Sequence, residues 1–189
     1  MNEMTDRQKE ILEKAIKIIA NDGIQNLTIK NLSKAIGVSE AALYRHYESK
    51  HSILISIMDM FDDFSQTKRS GKGLKGIENF IMDRYDKFIS NPELAKVMFS
   101  EAIFINDKEL SERMRLIIHG HRKDLEVLID EAKSNNEILT DIDTKSLFRM
   151  IIGSMRLLVI QWCFNDYGFD LKKEGKKLWS NINNLIKQR

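Results

Sequence analysis

Apolar positions recur along this chain with helical spacing almost throughout. From about Asp6 to Asn21, Ile11, Leu12, Ala15, Ile16, Ile18 and Ile19 form a stripe spaced three and four apart, the mark of a helix buried on one side. Thr5 followed by Gln8 is a capping box, and Gly23 supplies a stop. Thr28 caps a second, short helix to about Ile36, which Gly37 ends; Ser39 caps a third through about His46, and Ser49 a fourth through Phe61 or Phe64. The stretch Ser65–Gly76 has three Gly, four Lys/Arg and no apolar period, so it reads as a loop or frayed helix end. The pattern then predicts a fifth helix from about Lys75 to Ser90, carrying Ile77, Phe80, Ile81, Tyr85 and Phe88. Asn91-Pro92 breaks it, and Pro92 starts a sixth to about Ile105. Lys108–Ser134 is the clearest, with Leu110, Met114, Ile117, His121, Leu125, Leu128 and Ala132 in register. Asp143–Asn165 and Asp170–Lys187 follow, making nine helices with no convincing strand, an all-α protein.

Composition agrees. One Pro and 9 Gly in 189 residues are too few for the turns of an all-β sandwich. Hydrophobic residues at 42% and charged residues at 31% suit a chain that buries a core, and 189 residues allow one domain, or one ordinary domain with a small one attached. A single cysteine, Cys163, excludes an intramolecular disulfide and a cysteine-based zinc site. The N-terminal MNEMTDRQKE is not a signal peptide. The longest apolar run, Met150–Phe164, contains Arg156 and Gln161 and is shorter than the roughly 20 residues a spanning helix needs. The expectation is a soluble, cytoplasmic protein with no membrane partner. Net charge is only +2, so an argument for nucleic acid has to rest on local placement.

That placement lies in Leu27–Lys50, LTIKNLSKAIGVSEAALYRHYESK. Two short helices meet at Ala35-Ile36-Gly37-Val38-Ser39. Gly37 can take the positive φ of a tight turn, Ala35 permits a close crossing, and Leu32, Ile36, Val38 and Leu43 close a small core. This is the plan of a helix-turn-helix, whose second helix enters the DNA major groove. The run G-V-S-x-x-x-L-Y-x-H-Y-x-S-K, with Thr28 heading the preceding helix, closely resembles the N-terminal domain of the tetracycline-repressor (TetR) family of bacterial transcriptional regulators. The likeness is specific over roughly Ile11–Leu54; the remainder matches that family in length and helix count. It implies a helix-turn-helix domain over residues 1–50 and a helical effector and dimerisation domain over 51–189, linked by a helix of about 50–64.

The resemblance carries DNA contacts onto matching positions, and physical chemistry supports several. Thr28 offers a hydroxyl and free helix N–H groups to a phosphate, and Lys30 lies one turn further in. Ser39, Glu40, Ala41 and Ala42 form the leading turn of the recognition helix, where the two alanine methyls suit thymine methyls. Tyr44 and His46 suit the backbone, Arg45 a base or phosphate, and Lys50 a phosphate at a helix start. Glu40 either accepts from a cytosine amino group or points away from the phosphates, and Thr28 and Ser39 are also plain caps. Tyr47 reads as core. Lys68, Arg69, Lys72 and Lys75 either add phosphate contacts or form a solvated loop. Two such units on a homodimer would read one palindromic operator, half-sites about 34–36 Å apart or a multiple of that.

For dimerisation, Leu171, Leu178, Ile182 and Leu185 form a seam with Trp179 and Ile186 beside them. The helix around Met150–Phe164 is apolar nearly all round, and Gly153 allows close approach. The resemblance implies a four-helix interface from the last two helices, which places Gly153, Leu158, Leu178, Trp179, Ile182 and Leu185 there. It also implies a small-molecule effector, with a lining of Met98, Phe99, Ile103, Phe104, Met114, Ile117, His121, Phe148, Met155 and Trp162; the same residues would equally make plain core. His121 is either a satisfied core histidine or a polar anchor. Arg149 and Arg156, seven apart, either hold an acidic ligand, pair with Glu101 or another acid, or face solvent.

A catalytic reading finds no support. A di-iron bundle needs two Glu-x-x-His motifs; Glu48 and His51 make the one such spacing, across a helix start. There is no phosphate loop, nucleophile elbow or metal cluster, so the sequence predicts no enzyme, cofactor or metal. The competing regulator is a DNA-bound dimer with no effector that recruits protein partners; a C-terminal bundle packed without a cavity would favour it.

Overall fold

A computed structural model describes residues 4–65 and 70–188, apart from the side chains of residues 63–65 and 101. Among these residues are nine α-helices: α1 (Asp6–Asp22), α2 (Ile29–Ile36), α3 (Glu40–Tyr44), α4 (Lys50–Ser65), α5 (Gly73–Ser90), α6 (Pro92–Met98), α7 (Lys108–Ser134), α8 (Thr144–Phe164) and α9 (Leu171–Ile186). The caps expected at Thr5, Thr28, Ser39 and Ser49 are present, and Asp107, Asp143 and Asp170 cap α7, α8 and α9 as well. Thr5 and Gln8 form the capping box, and the Thr28, Ser39, Asp143 and Asp170 side chains accept from the third residue onward. Gly37 has φ +78°, the left-handed turn that joins α2 to α3. The chain departs from the pattern at ends. α3 stops at Tyr44, two residues early, and α6 at Met98, followed by a 3-10 turn over Glu101–Ile103. Conversely, α5 starts at Gly73, because Glu137 accepts from the Leu74 N–H (2.8 Å) and Glu131 from the Gly73 N–H (3.3 Å), so acids on another element satisfy its first turn. Lys68 and Arg69 lie outside the described residues.

Two apolar clusters hold the fold. The first gathers α1–α4 and takes in Leu94, Val97, Phe104, Leu110 and Ile117 from the C-terminal part, so the N-terminal helices are seated on the rest by shared core. The second fills the space between α5, α7, α8 and α9. There α9 crosses α5 with the Tyr85 ring packed onto Gly175: a Cβ at Gly175 would overlap that ring, which is 1% exposed. The segment after α7 is stitched to the end of α9 by Leu139 N–H to Ile186 O (2.8 Å) and Gln188 N–H to Glu137 O (3.2 Å).

By length and composition α8 could cross a membrane, and it is the one such helix among the described residues; only a third of that stretch is buried within the protomer. Its inner face packs in the second cluster through Leu147, Phe148, Ile151, Met155 and Val159. Its outer face needs another explanation.

Candidate functional site

The α2–turn–α3 surface presents most of the residues expected to meet DNA. Thr28, Lys30, Ser39, Glu40, Ala41, Tyr44, Arg45 and His46 are exposed, and Ala42 is half-buried. Tyr44 keeps half its surface in solvent, an uncommon exposure for a large ring, whereas Tyr47, three residues on, is 5% exposed and belongs to the core. Leu43 and Tyr47 are both buried in the first cluster, Tyr47 from the turn beyond the end of α3, while Tyr44 at that end stays in solvent. Lys50 differs from expectation. It is half-buried, and its Nζ donates to the Ile24 carbonyl (2.7 Å), tying the start of α4 to the turn before α2; burial pulls its pKa below the usual lysine value. Lys75 lies within α5 and pairs with Glu78 (2.7 Å), while Lys72 is an exposed cap.

A cavity of about 490 Å³ opens between α5, α7, α8 and the segment after α6. Met98, Phe99, Phe104, Met114, Ile117, His121, Phe148 and Met155 line it as the periodicity suggests. Ile103 and Trp162 do not. Ile103 packs against the first cluster, and Trp162 turns into the second, its indole N–H donating to the Phe169 carbonyl (3.1 Å). The sequence reading missed Arg84, Phe88, Ile105, Ser111, Arg115, Ile118 and Ile152. Arg84 was readable: it stands at a core position of the stripe Ile77, Phe80, Ile81, Arg84, Tyr85, Phe88, and a charge in an apolar register is the informative exception. Its guanidinium is 3.3 Å from the Phe80 ring centroid and donates to the Phe80 carbonyl (3.1 Å). Burial lowers its pKa to about 10, opposed by Asp83 and Asp124. Arg156 lines the cavity with its guanidinium 5.8 Å from the Phe99 ring centroid, while Arg149 is exposed and outside the lining.

Among the described residues the buried Nε2 of His121 has no hydrogen-bond partner, so the ring is not a satisfied core histidine. Burial, then the Arg84 and Lys87 charges, lower its pKa to about 3 from 6.5. In the window between those values the unfolded chain holds the extra proton, so stability falls as pH falls. One proton corresponds to a slope of up to about 1.4 kcal/mol per pH unit. Urea titrations at pH 7 and pH 5 should show this loss, and a His121→Leu variant should flatten it; an unchanged slope would show that His121 is not the group responsible.

The profile described as "Bacterial regulatory proteins, tetR family" matches residues 11–57, and that of the "YsiA-like protein, C-terminal region" matches residues 56–186, well over half the chain. The chain belongs to the TetR family. It is accordingly a DNA-binding transcriptional regulator, and its matched families are regulators rather than enzymes. Among curated relatives, the nucleoid occlusion factor SlmA of Aliivibrio fischeri (strain MJ11) is 24% identical over 188 residues, 96% of each chain. Among solved structures, the fatty acid degradation regulator FadR of Bacillus halodurans has a TM-score of 0.84 at 21% identity, covering 100% of both chains. FadR of Bacillus subtilis in complex with stearoyl-CoA has a TM-score of 0.76 at 21% identity, covering 92% of this chain and 96% of that one. At these identities the structures establish shared architecture.

In this TetR-family chain one residue of the cavity wall also contacts α4, the helix that follows the helix-turn-helix. Phe104 lines the cavity, and its ring meets Phe61 of α4 edge-on, centroids 5.7 Å apart. Beside it, polar groups strap α4 to the start of α7. His51 bonds Glu109 through Nε2 (3.1 Å) and lies 3.3 Å from Asp107 through Nδ1, and Arg113 reaches Asp59 (2.8 Å) and Glu109 (3.5 Å). The other TetR-type surface lies across α8 and α9. Met150, Leu157 and Phe164 are 53%, 57% and 86% exposed at seven-residue intervals, beside exposed Gly153, with Leu185 at 73% and Leu178 and Ile182 half-buried on α9. Leu158 is half-buried against the second cluster, and Trp179 is 6% exposed inside it, so its ring is committed to the protomer's own core.

Proposed function

We propose that the chain is a homodimeric repressor, released from a palindromic operator by a small apolar or amphipathic effector. The division into residues 1–50 for DNA and 51–189 for effector and dimer belongs to this reading, with α4 as the link. The observation that carries it is Phe104, which belongs at once to the cavity wall and to the contact with Phe61 on α4. An effector that displaces Phe104 moves the base of α4. The two recognition helices then no longer match half-sites one helical turn apart. The effector must bind the released state more tightly than the DNA-bound one, since only differential affinity shifts the balance. An acyl compound suits an apolar lining of this size, and the Bacillus subtilis relative holds stearoyl-CoA. The exposed α8–α9 face, apolar at four large side chains, supports a second copy as partner. A cavity argues against the effector-free alternative, in which the bundle would be fully packed.

The test is to select bound duplexes from a random pool, then screen acyl compounds for release. Recovery of a palindrome that an acyl compound releases is expected; failure to enrich any sequence would overturn the reading. With roughly six phosphate contacts, affinity should fall about 10³-fold between 50 and 200 mM salt. Tyr44→Ala should weaken operator binding by about 1–3 kcal/mol with the dimer intact, read by gel shift and sedimentation. Unchanged binding would remove Tyr44 from the contact set.

A further inference from the structure

The cavity is polarised, and in the direction opposite to a simple greasy pocket with a wet mouth. Its exposed rim is apolar at Ile105 and Ile118, 67% and 53% exposed. Arg115, also at the rim, is already held by Glu112 through two hydrogen bonds (2.8 and 2.5 Å). The inner wall instead carries Arg84, 3% exposed, and His121 with its unpartnered Nε2. Among the described residues no Asp or Glu lines the cavity. Arg84 and Lys87 act on His121 as cations; Lys87 pairs with Asp83 (3.2 Å), and Asp83 and Asp124 stand beside Arg84. An unpaired buried nitrogen is costly, and an apolar side chain there would be free of that cost. A neutral imidazole can donate one N–H. Its strongest acceptor is an ionised oxygen, because a charge-assisted hydrogen bond outweighs a neutral one.

We propose that the effector is an amphipathic carboxylate that binds acid-end inward, its carboxylate accepting from His121 beside Arg84 and its hydrocarbon tail leaving past Ile105 and Ile118. This deepens the effector reading above and rests on it. A free acid fits such a site, and a thioester of the same chain, with no terminal carboxylate to bury, does not.

The test compares dodecanoate, dodecanamide and dodecanoyl-CoA by calorimetry on the full chain, wild type and His121→Leu, with Arg149→Gln, which is exposed and outside the cavity lining, as control. Dodecanoate should bind wild type about tenfold more tightly than dodecanamide, the scale of one charge-assisted hydrogen bond. His121→Leu should bring the two within about twofold, and Arg149→Gln should leave the preference standing. Should His121→Leu fail to fold, the wild-type imidazole nitrogen signals still decide, because dodecanoate should shift those of His121 further than dodecanamide, the weaker acceptor, does. Tighter binding of the CoA thioester, or a preference kept in His121→Leu, would overturn the acid-inward orientation while leaving an acyl effector in place. If none of the three binds, the effector reading itself falls, and this inference with it.

Discussion

Leu157→Glu should convert the protein to a monomer and weaken operator binding by roughly 10²–10⁴-fold, the avidity lost when two linked half-site contacts become one. Leu157 sits at the middle of the Met150, Leu157, Phe164 stripe and is 57% exposed, so in the isolated protomer the new carboxylate is simply solvated. Surface changes of that kind usually alter folding free energy by no more than about 0.5 kcal/mol. Across a two-fold interface the same residue meets its own copy or a near neighbour, because such an interface is self-complementary. Each protomer therefore brings a buried charge, and the penalty is counted twice. Sedimentation should report a folded monomer, and gel shift a loss of the specific complex. A dimer that persists with full affinity would place the subunit contact elsewhere.

Gly175→Ala should destabilise the fold by about 1–3 kcal/mol or more, although alanine is the better helix former. The reason is the crossing of α9 on α5, where the added methyl would overlap the buried Tyr85 ring. Near neighbours cannot yield easily, because Tyr85 is packed in the second cluster with Phe88, Leu171 and Trp179. At about 2–4 °C per kcal/mol for a chain of this length, the melting temperature should drop by several degrees. Combined with Tyr85→Leu, the cost should be less than the sum of the two single changes, since the smaller side chain makes room; additive losses would show that the contact is not the cause.

The local grammar of this fold was written plainly in the chain. Caps at Thr5, Thr28, Ser39, Asp143 and Asp170 and the positive-φ Gly37 are decided by residues within four positions, so sequence specifies them. Half of the cavity wall was legible, because Met and aromatic residues at helical spacing on and around α7 and α8 face the interior. What escaped depends on tertiary placement. Trp179 and Leu185 were both expected at the subunit interface, yet six positions apart on one helix they face different ways, and one is 6% and the other 73% exposed. Trp162 escaped because its N–H needs an acceptor, and the Phe169 carbonyl beyond the helix supplies it away from the cavity. The early start of α5 escaped because its first N–H groups are satisfied by Glu131 and Glu137, some sixty positions away along the chain.

The strap between α4 and α7 is built from side chains open to water, with His51, Asp59, Glu109 and Arg113 each between 38% and 55% exposed. Dissolved ions weaken such pairs over a screening distance of about 10 Å at 0.1 M. In the proposed mechanism, where α4 carries the signal, electrolyte then acts on this regulator twice, once on its grip on nucleic acid and once on the stiffness of that joint. At high ionic strength the molecule should be both a weaker binder and a looser lever.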